Sequence, residues 1–133
     1  MTYRKGLASV AAVLVVAGVP LMSVSAASDV VAKYDTDSDQ TLSLAEVKAA
    51  ASAHFDKLNK DGDSTLETKE VQGVIGAKAF KAADTDNDGS LSKDEYLALV
   101  QRLFQNADTD HDGTLTRAEM HSRSGRALKR LID

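Results

Sequence analysis

A twelve-residue pattern recurs four times in this chain, and its spacing constrains the fold more than any other feature. The stretches DTDSDQTLSLAE, NKDGDSTLETKE, DTDNDGSLSKDE and DTDHDGTLTRAE begin at Asp35, Asn59, Asp84 and Asp108, separated by 24, 25 and 24 residues. Each has acids at its third and fifth positions, leucine at its eighth and glutamate at its twelfth. A fixed period of this kind marks one supersecondary unit used repeatedly. Whatever one stretch does, the chain does four times in the same phase.

The flanks repeat too. Val31, Phe55, Phe80 and Phe104 stand four residues ahead of the stretches, and Val47, Val71, Tyr96 and Met120 stand directly after them. Between the stretches lie VKAAASAHFDKL, VQGVIGAKAFKAA and YLALVQRLFQNA, segments rich in alanine, leucine and other helix formers. The pattern predicts helices entering and leaving four loops, with those apolar residues and the repeated leucines as core.

A linker of 12 or 13 residues has room for one helix of about 18–20 Å. Neighbouring units must therefore share a helix. The first and third linkers lack glycine and should run straight, placing loops one and two at opposite ends of one helix and loops three and four at opposite ends of another. The second contains Gly73 and Gly76 and can break and turn. This arrangement puts loop two beside loop three and loop one beside loop four, so Leu66 should pair with Leu91 and Leu42 with Leu115.

The alternation of acids has a chemical reading. A hard cation such as Ca²⁺ takes about six to eight oxygen ligands, and one short segment supplies them only by curling around the ion. The stretches resemble the loop of the EF-hand calcium-binding superfamily. In that loop side chains at positions one, three and five, the carbonyl at seven, position nine and a bidentate glutamate at twelve surround the ion, while glycine at six permits the turn. The resemblance implies an all-α domain of four EF-hands, with short helices shared between adjacent hands and loops at 35–46, 59–70, 84–95 and 108–119.

Carried over position by position, it implies the ligands Asp84, Asp86, Asp88, Ser90, Ser92 and Glu95 in loop three, and Asp108, Asp110, Asp112, Thr114, Thr116 and Glu119 in loop four. The corresponding sets are Asp35, Asp37, Asp39, Thr41, Ser43 and Glu46 in loop one, and Asn59, Asp61, Asp63, Thr65, Glu67 and Glu70 in loop two. Loops one and two carry Gln40 and Ser64 where glycine is expected, and loop two opens on neutral Asn59. A left-handed residue other than glycine costs about 1–2 kcal/mol, roughly tenfold in affinity, so these two loops are expected to fill last. Without an ion, such acids would be solvated loop residues or helix caps.

Composition narrows the rest. Arg4 and Lys5, the uncharged apolar run from Leu7 to Val19, and the small residues after Pro20 predict an export signal over residues 1–27. An uncleaved membrane anchor is the alternative reading of the same segment. Cleavage leaves a domain at 28–133 in a periplasmic or secreted protein, and shifts the formal charge from −4 to −6. The chain has no cysteine, so neither disulfides nor thiolate metal sites are available. Acids gathered in four stretches favour cations as partners and disfavour nucleic acid and anionic membranes. His54, His111 and His121 share no metal-binding or catalytic spacing and are expected at the surface. No nucleophile or phosphate-binding motif points to an enzyme.

The compact spacing, the tail SRSGRALKRLID and stretches such as AFKAADTDNDGSLSKDEYLALV also resemble the lanmodulin family of exported bacterial proteins over residues 29–133. That resemblance implies a periplasmic protein selective for trivalent lanthanide ions over Ca²⁺ that compacts when metal binds. The family's best-known member has proline at loop position two and aspartate at nine. This chain instead has Thr36, Lys60, Thr85 and Thr109, then Ser43, Glu67, Ser92 and Thr116. Only Glu67 keeps an acid at nine, and added negative charge matters most for an ion of higher charge.

Three functions are therefore open. The first is an exported buffer or carrier of Ca²⁺, or of a lanthanide, whose folding is coupled to metal. A second is a sensor presenting a surface to an unidentified protein partner, although only Met120 among residues 29–133 could furnish a methionine-rich groove. The third is a domain that ions merely hold together.

Overall fold

The computed structural model describes residues 29–133, and the expected export signal at 1–27 lies outside them. Within this range the chain is mostly helical. Its elements are α1 (Val30–Tyr34), β1 (Leu42–Ser43), α2 (Leu44–Leu58), β2 (Thr65–Glu67), α3 (Ala77–Ala83), β3 (Ser90–Ser92), α4 (Lys93–Ala107), β4 (Thr114–Leu115), α5 (Arg117–Met120) and α6 (Arg123–Ile132).

The two long helices begin for the same local reason. Ser43 and Ser92 cap α2 and α4 by accepting from the backbone N–H of Glu46 and Glu95, and each glutamate side chain bonds back to the N–H of its cap. This reciprocal box satisfies two orphan donors of the first turn. No glycine or proline interrupts either helix, and both run the full distance between their loops.

The helices that enter the loops end in a shared way. The N–H of Asp35, Asn59, Asp84 and Asp108 bonds the carbonyl of Val31, Phe55, Phe80 and Phe104 at 2.8, 2.9, 2.9 and 2.9 Å. The four-residue spacing noted in the sequence is thus the last helical hydrogen bond before each loop.

Short antiparallel strands join the loops in pairs. β2 and β3 place Leu66 opposite Leu91, and β1 and β4 place Leu42 opposite Leu115, as the linker lengths require. All four leucines are fully buried. The expected flanking core is buried as well: Val31, Phe55, Phe80, Phe104, Val47, Val71, Tyr96 and Met120. Phe55 and Tyr96 meet edge to face at 5.5 Å between centroids, joining α2 to α4.

Two expectations need correction. No α-helix leaves loop two. Residues 68–74 instead form overlapping turns, in which Glu70 and Val71 donate to the Glu67 carbonyl and Ile75 donates to the Val71 carbonyl. Position nine there is Glu67, which has no hydroxyl to form the serine or threonine cap found at the other loops. Gly73 then takes a positive φ of 84° and Gly76 starts α3. The second correction concerns His54. It is half-buried on α2, and its Nδ1 is buried without a hydrogen-bond partner.

The C-terminal helix α6 packs on α2 and α4, burying Leu128, Leu131 and Ile132. Its last carbonyls anchor distant tyrosines. Tyr96 donates to Leu131 O and Tyr34 to Ile132 O, both at 2.7 Å. Lys33 pairs with Asp133 beside them.

Candidate metal centres

Backbone shape comes first in each loop. Positions four and six are left-handed in all four: Ser38 and Gln40, Gly62 and Ser64, Asn87 and Gly89, His111 and Gly113. The chain therefore takes left-handed turns at both positions whether or not glycine stands at six. Position four carries its own signal in the sequence, since asparagine, histidine and glycine enter this region more readily than most residues.

That curl turns the acids inward onto the loop's own N–H groups. The fifth-position carboxylates of Asp39, Asp63, Asp88 and Asp112 each accept from the N–H two residues on, at 2.8 Å. The first-position carboxylates accept from position six at 2.9 Å for Asp35 and 3.0 Å for Asp84 and Asp108. Asn59 accepts only from Gly62, at 2.9 Å. The twelfth-position glutamates span the loop, one oxygen taking the N–H of position two and the other that of position nine. Thr36, Thr85 and Thr109 add a hydroxyl donor to the same oxygen.

Among the described residues, four groups bring three carboxylate oxygens within 4.8 Å of one another. They are Asp35, Asp37 and Asp39; Asp61, Asp63 and Glu67; Asp84, Asp86 and Glu95; and Asp108, Asp110 and Glu119. The twelfth-position glutamate is thus drawn into the cluster in loops three and four, while in loop two the ninth-position Glu67 takes that place. Ser43, Ser92 and Thr116 sit at position nine as helix caps.

The clusters are electrostatically tense. At the third position, the N–H of Asp39 pulls Asp37 downward, but desolvation and the carboxylates of Asp35, Asp39 and Glu46 outweigh it and raise its pKa. Asp86 and Asp110 are raised by the same balance in their loops. Glu46 and Glu95 move the other way, held down to about 2, chiefly by the N–H groups of Ser43 and Ser92. Each loop also opens at the C-terminus of a helix, where the dipole disfavours an acid and favours a cation.

Loop four gives the most direct test of fit. Asp108 is only 7% exposed, and its Oδ1 is buried with no hydrogen-bond partner. An unsatisfied buried carboxylate oxygen is costly, and a cation held with Asp110 and Glu119 would satisfy it. The donor set, all oxygen and mostly anionic, suits a hard cation. His111 and His121 are exposed and join no cluster.

A family model described as EF hand matches residues 77–100 and 99–122, the segments containing loops three and four. A search of curated proteins found no match to the chain. The family match and the acidic clusters together support the EF-hand calcium-binding superfamily and point to metal binding. Loops one and two, which lack glycine at position six, lie outside the matched segments.

Proposed function

We propose that this chain is an exported EF-hand protein that binds Ca²⁺ through four loops and serves as a buffer or carrier, with folding coupled to metal. The observation that carries this reading is the fourfold recurrence of one loop geometry, each copy gathering three carboxylate oxygens within 4.8 Å. In this reading the side chains at positions one, three, five and twelve hold the ion and the carbonyls of Thr41, Thr65, Ser90 and Thr114 complete the shell. The bound ion supplies positive charge where carboxylates repel. Loops three and four fill first.

A second reading, selective binding of a trivalent lanthanide, draws on one feature of loop two. Glu67 brings a position-nine carboxylate into the cluster with Asp61 and Asp63, and each added anion counts for more against a trivalent ion. Competitive titration with Ca²⁺ and La³⁺, followed by calorimetry and circular dichroism, tests both. Saturable binding of Ca²⁺ at up to four sites, with gain of helix, supports the first reading. Displacement of Ca²⁺ by trace La³⁺ favours the second. No saturable binding of either ion ends both.

A further inference from the structure

The helix that leads into loop one is the shortest of the four entering helices. α1 has 5 residues, against 15 in α2, 7 in α3 and 15 in α4, which enter loops two, three and four. So short a helix has no stability of its own in water. Where α1 sits is decided by what it touches.

Both ends of α1 are tied to the far end of the sequence. At its start, Asp29 accepts from Arg117 Nε of α5 at 2.7 Å. At its finish, the Tyr34 hydroxyl donates to Ile132 O of α6 at 2.7 Å, and Lys33 pairs with Asp133. Val30 and Val31, between these ties, are buried. The helix that receives Tyr34 has little room to shift. Leu128, Leu131 and Ile132 are buried, Tyr96 holds Leu131 O, and Gly125 lies against the backbone of Glu119 and Met120. Leu58, Ala83 and Ala107, which stand in the place of Tyr34 before the other loops, have no polar side chain to form such a tie.

The next residue after Tyr34 is Asp35, the first side chain of loop one. Its N–H closes the last turn of α1 on the Val31 carbonyl at 2.8 Å, and its carboxylate accepts from Ser38 N and Gln40 N at 2.7 and 2.9 Å. The acids grouped in this loop, Asp35, Asp37 and Asp39, all lie in its entering half, whereas the groups of loops three and four include the glutamate of the helix that leaves. The placement of the loop-one cluster therefore depends on α1. We propose that Tyr34 is a positioning residue for loop one, its bond to α6 fixing the end of α1 and so tying the cation affinity of this loop to a helix 98 residues away. The proposal rests on the metal reading and adds a residue that touches no ion.

The test is a site-resolved one, Ca²⁺ titration of the ¹⁵N-labelled full chain read by NMR at the position-six amides Gln40, Ser64, Gly89 and Gly113. Tyr34→Phe, which removes only the hydroxyl, should weaken Ca²⁺ at Gln40 by about threefold or more, with Ser64 and Gly89 unchanged. Gly113 should follow Gln40 in part, because β1 and β4 join their loops. Tyr96→Phe serves as the control, since it removes the neighbouring hydroxyl bond to α6 without touching α1 and should leave the Gln40 titration as it was. An unchanged Gln40 titration in Tyr34→Phe, an equal loss at all four amides, or the same selective loss in Tyr96→Phe would each overturn the positioning role. Absence of saturable Ca²⁺ binding in the unsubstituted chain is a different failure, which removes the metal reading and this inference with it.

Discussion

At the scale of single residues, the loops differ in how they reach one shared shape. Loop one places Ser38 and Gln40 at φ 63° and 69° with no glycine at either left-handed position, whereas each other loop has a glycine at one of them. Loop one should therefore carry the most backbone strain. Replacing Gln40 by glycine relieves about 1–2 kcal/mol of it, partly offset by the greater freedom of glycine in the unfolded chain. We expect Gln40→Gly to raise the thermal midpoint modestly and to tighten the weakest calorimetric phase several-fold; an unchanged or weakened phase would refute the strain. Protonation separates the acids further. Glu46 and Glu95 sit near 2 against an ordinary 4.5, so their contribution to stability is present above about pH 4.5 and is lost as pH falls toward 2. The raised Asp37, Asp86 and Asp110 act with opposite sign, since acidification first relieves their repulsion. The helix that the metal-free protein retains should persist from pH 7 down to about 4.5 and fall away below, as far-ultraviolet dichroism in chelator across that range would show.

At the scale of elements, α6 is held by contacts that no local pattern announces. A Cβ at Gly125 would lie 2.3 Å from the Glu119 carbonyl and 2.5 Å from Met120 Cα, backbone atoms that cannot give way cheaply. Gly125→Ala should destabilise the protein by about 1–3 kcal/mol, the range for overpacking, and disturb loop four more than loop three in a metal titration. Tyr96→Phe, which strands the Leu131 carbonyl inside the core, should cost about 1–2 kcal/mol in denaturant unfolding and leave the loops intact. These contacts show where sequence stopped being informative. α2 and α4 were legible because their caps, glycine-free interiors and the fourfold leucine are local and periodic. From those lengths alone, the pairing of Leu42 with Leu115 and of Leu66 with Leu91 followed. In α6 the apolar spacing of Leu128, Leu131 and Ile132 is also local, but the face it covers is set by α2 and α4 and by the close approach at Gly125. The turns after loop two are not legible in the sequence, because a glutamate at position nine reads as one more ligand. Its consequence, the absence of a hydroxyl cap, emerges only when the other three loops are seen to use one. The lack of partners in the sequence points His54 to the surface, and burial by neighbouring elements is invisible at that level.

At the scale of the whole molecule, the four loops form a closed ring. Loop one joins loop two through α2, loop two joins loop three through β2 and β3, loop three joins loop four through α4, and loop four returns to loop one through β4 and β1. Every link is either a shared helix or a strand pair, so an ion at any loop fixes an end of an element that another loop depends on. The charge of residues 29–133 gives this ring a reason to need ions. All acids but Asp29, Asp56 and Asp133 lie in the loops, and the net charge is −6. Four divalent ions would carry it through zero to +2, removing the repulsion inside each loop. An ion present at a hundred times its dissociation constant stabilises the folded state by about 2.7 kcal/mol per site. Four such sites match the entire stability of a typical small domain, about 5–15 kcal/mol. Metal binding and folding should then be one process. We expect chelation to cost the protein much of its helix and its cooperative melt, Ca²⁺ or a lanthanide to restore both, and Mg²⁺ to restore little, because its small octahedral shell fits an open twelve-residue loop poorly. Far-ultraviolet dichroism and calorimetric melts of chelated, Ca²⁺-loaded and Mg²⁺-loaded protein decide the matter. Leu42→Ala sharpens it, since this substitution cuts one link of the ring without touching a carboxylate and should make the metal titration less cooperative. Identical dichroism and melting temperature with and without metal would show that the ring folds unaided and that its acids serve another end.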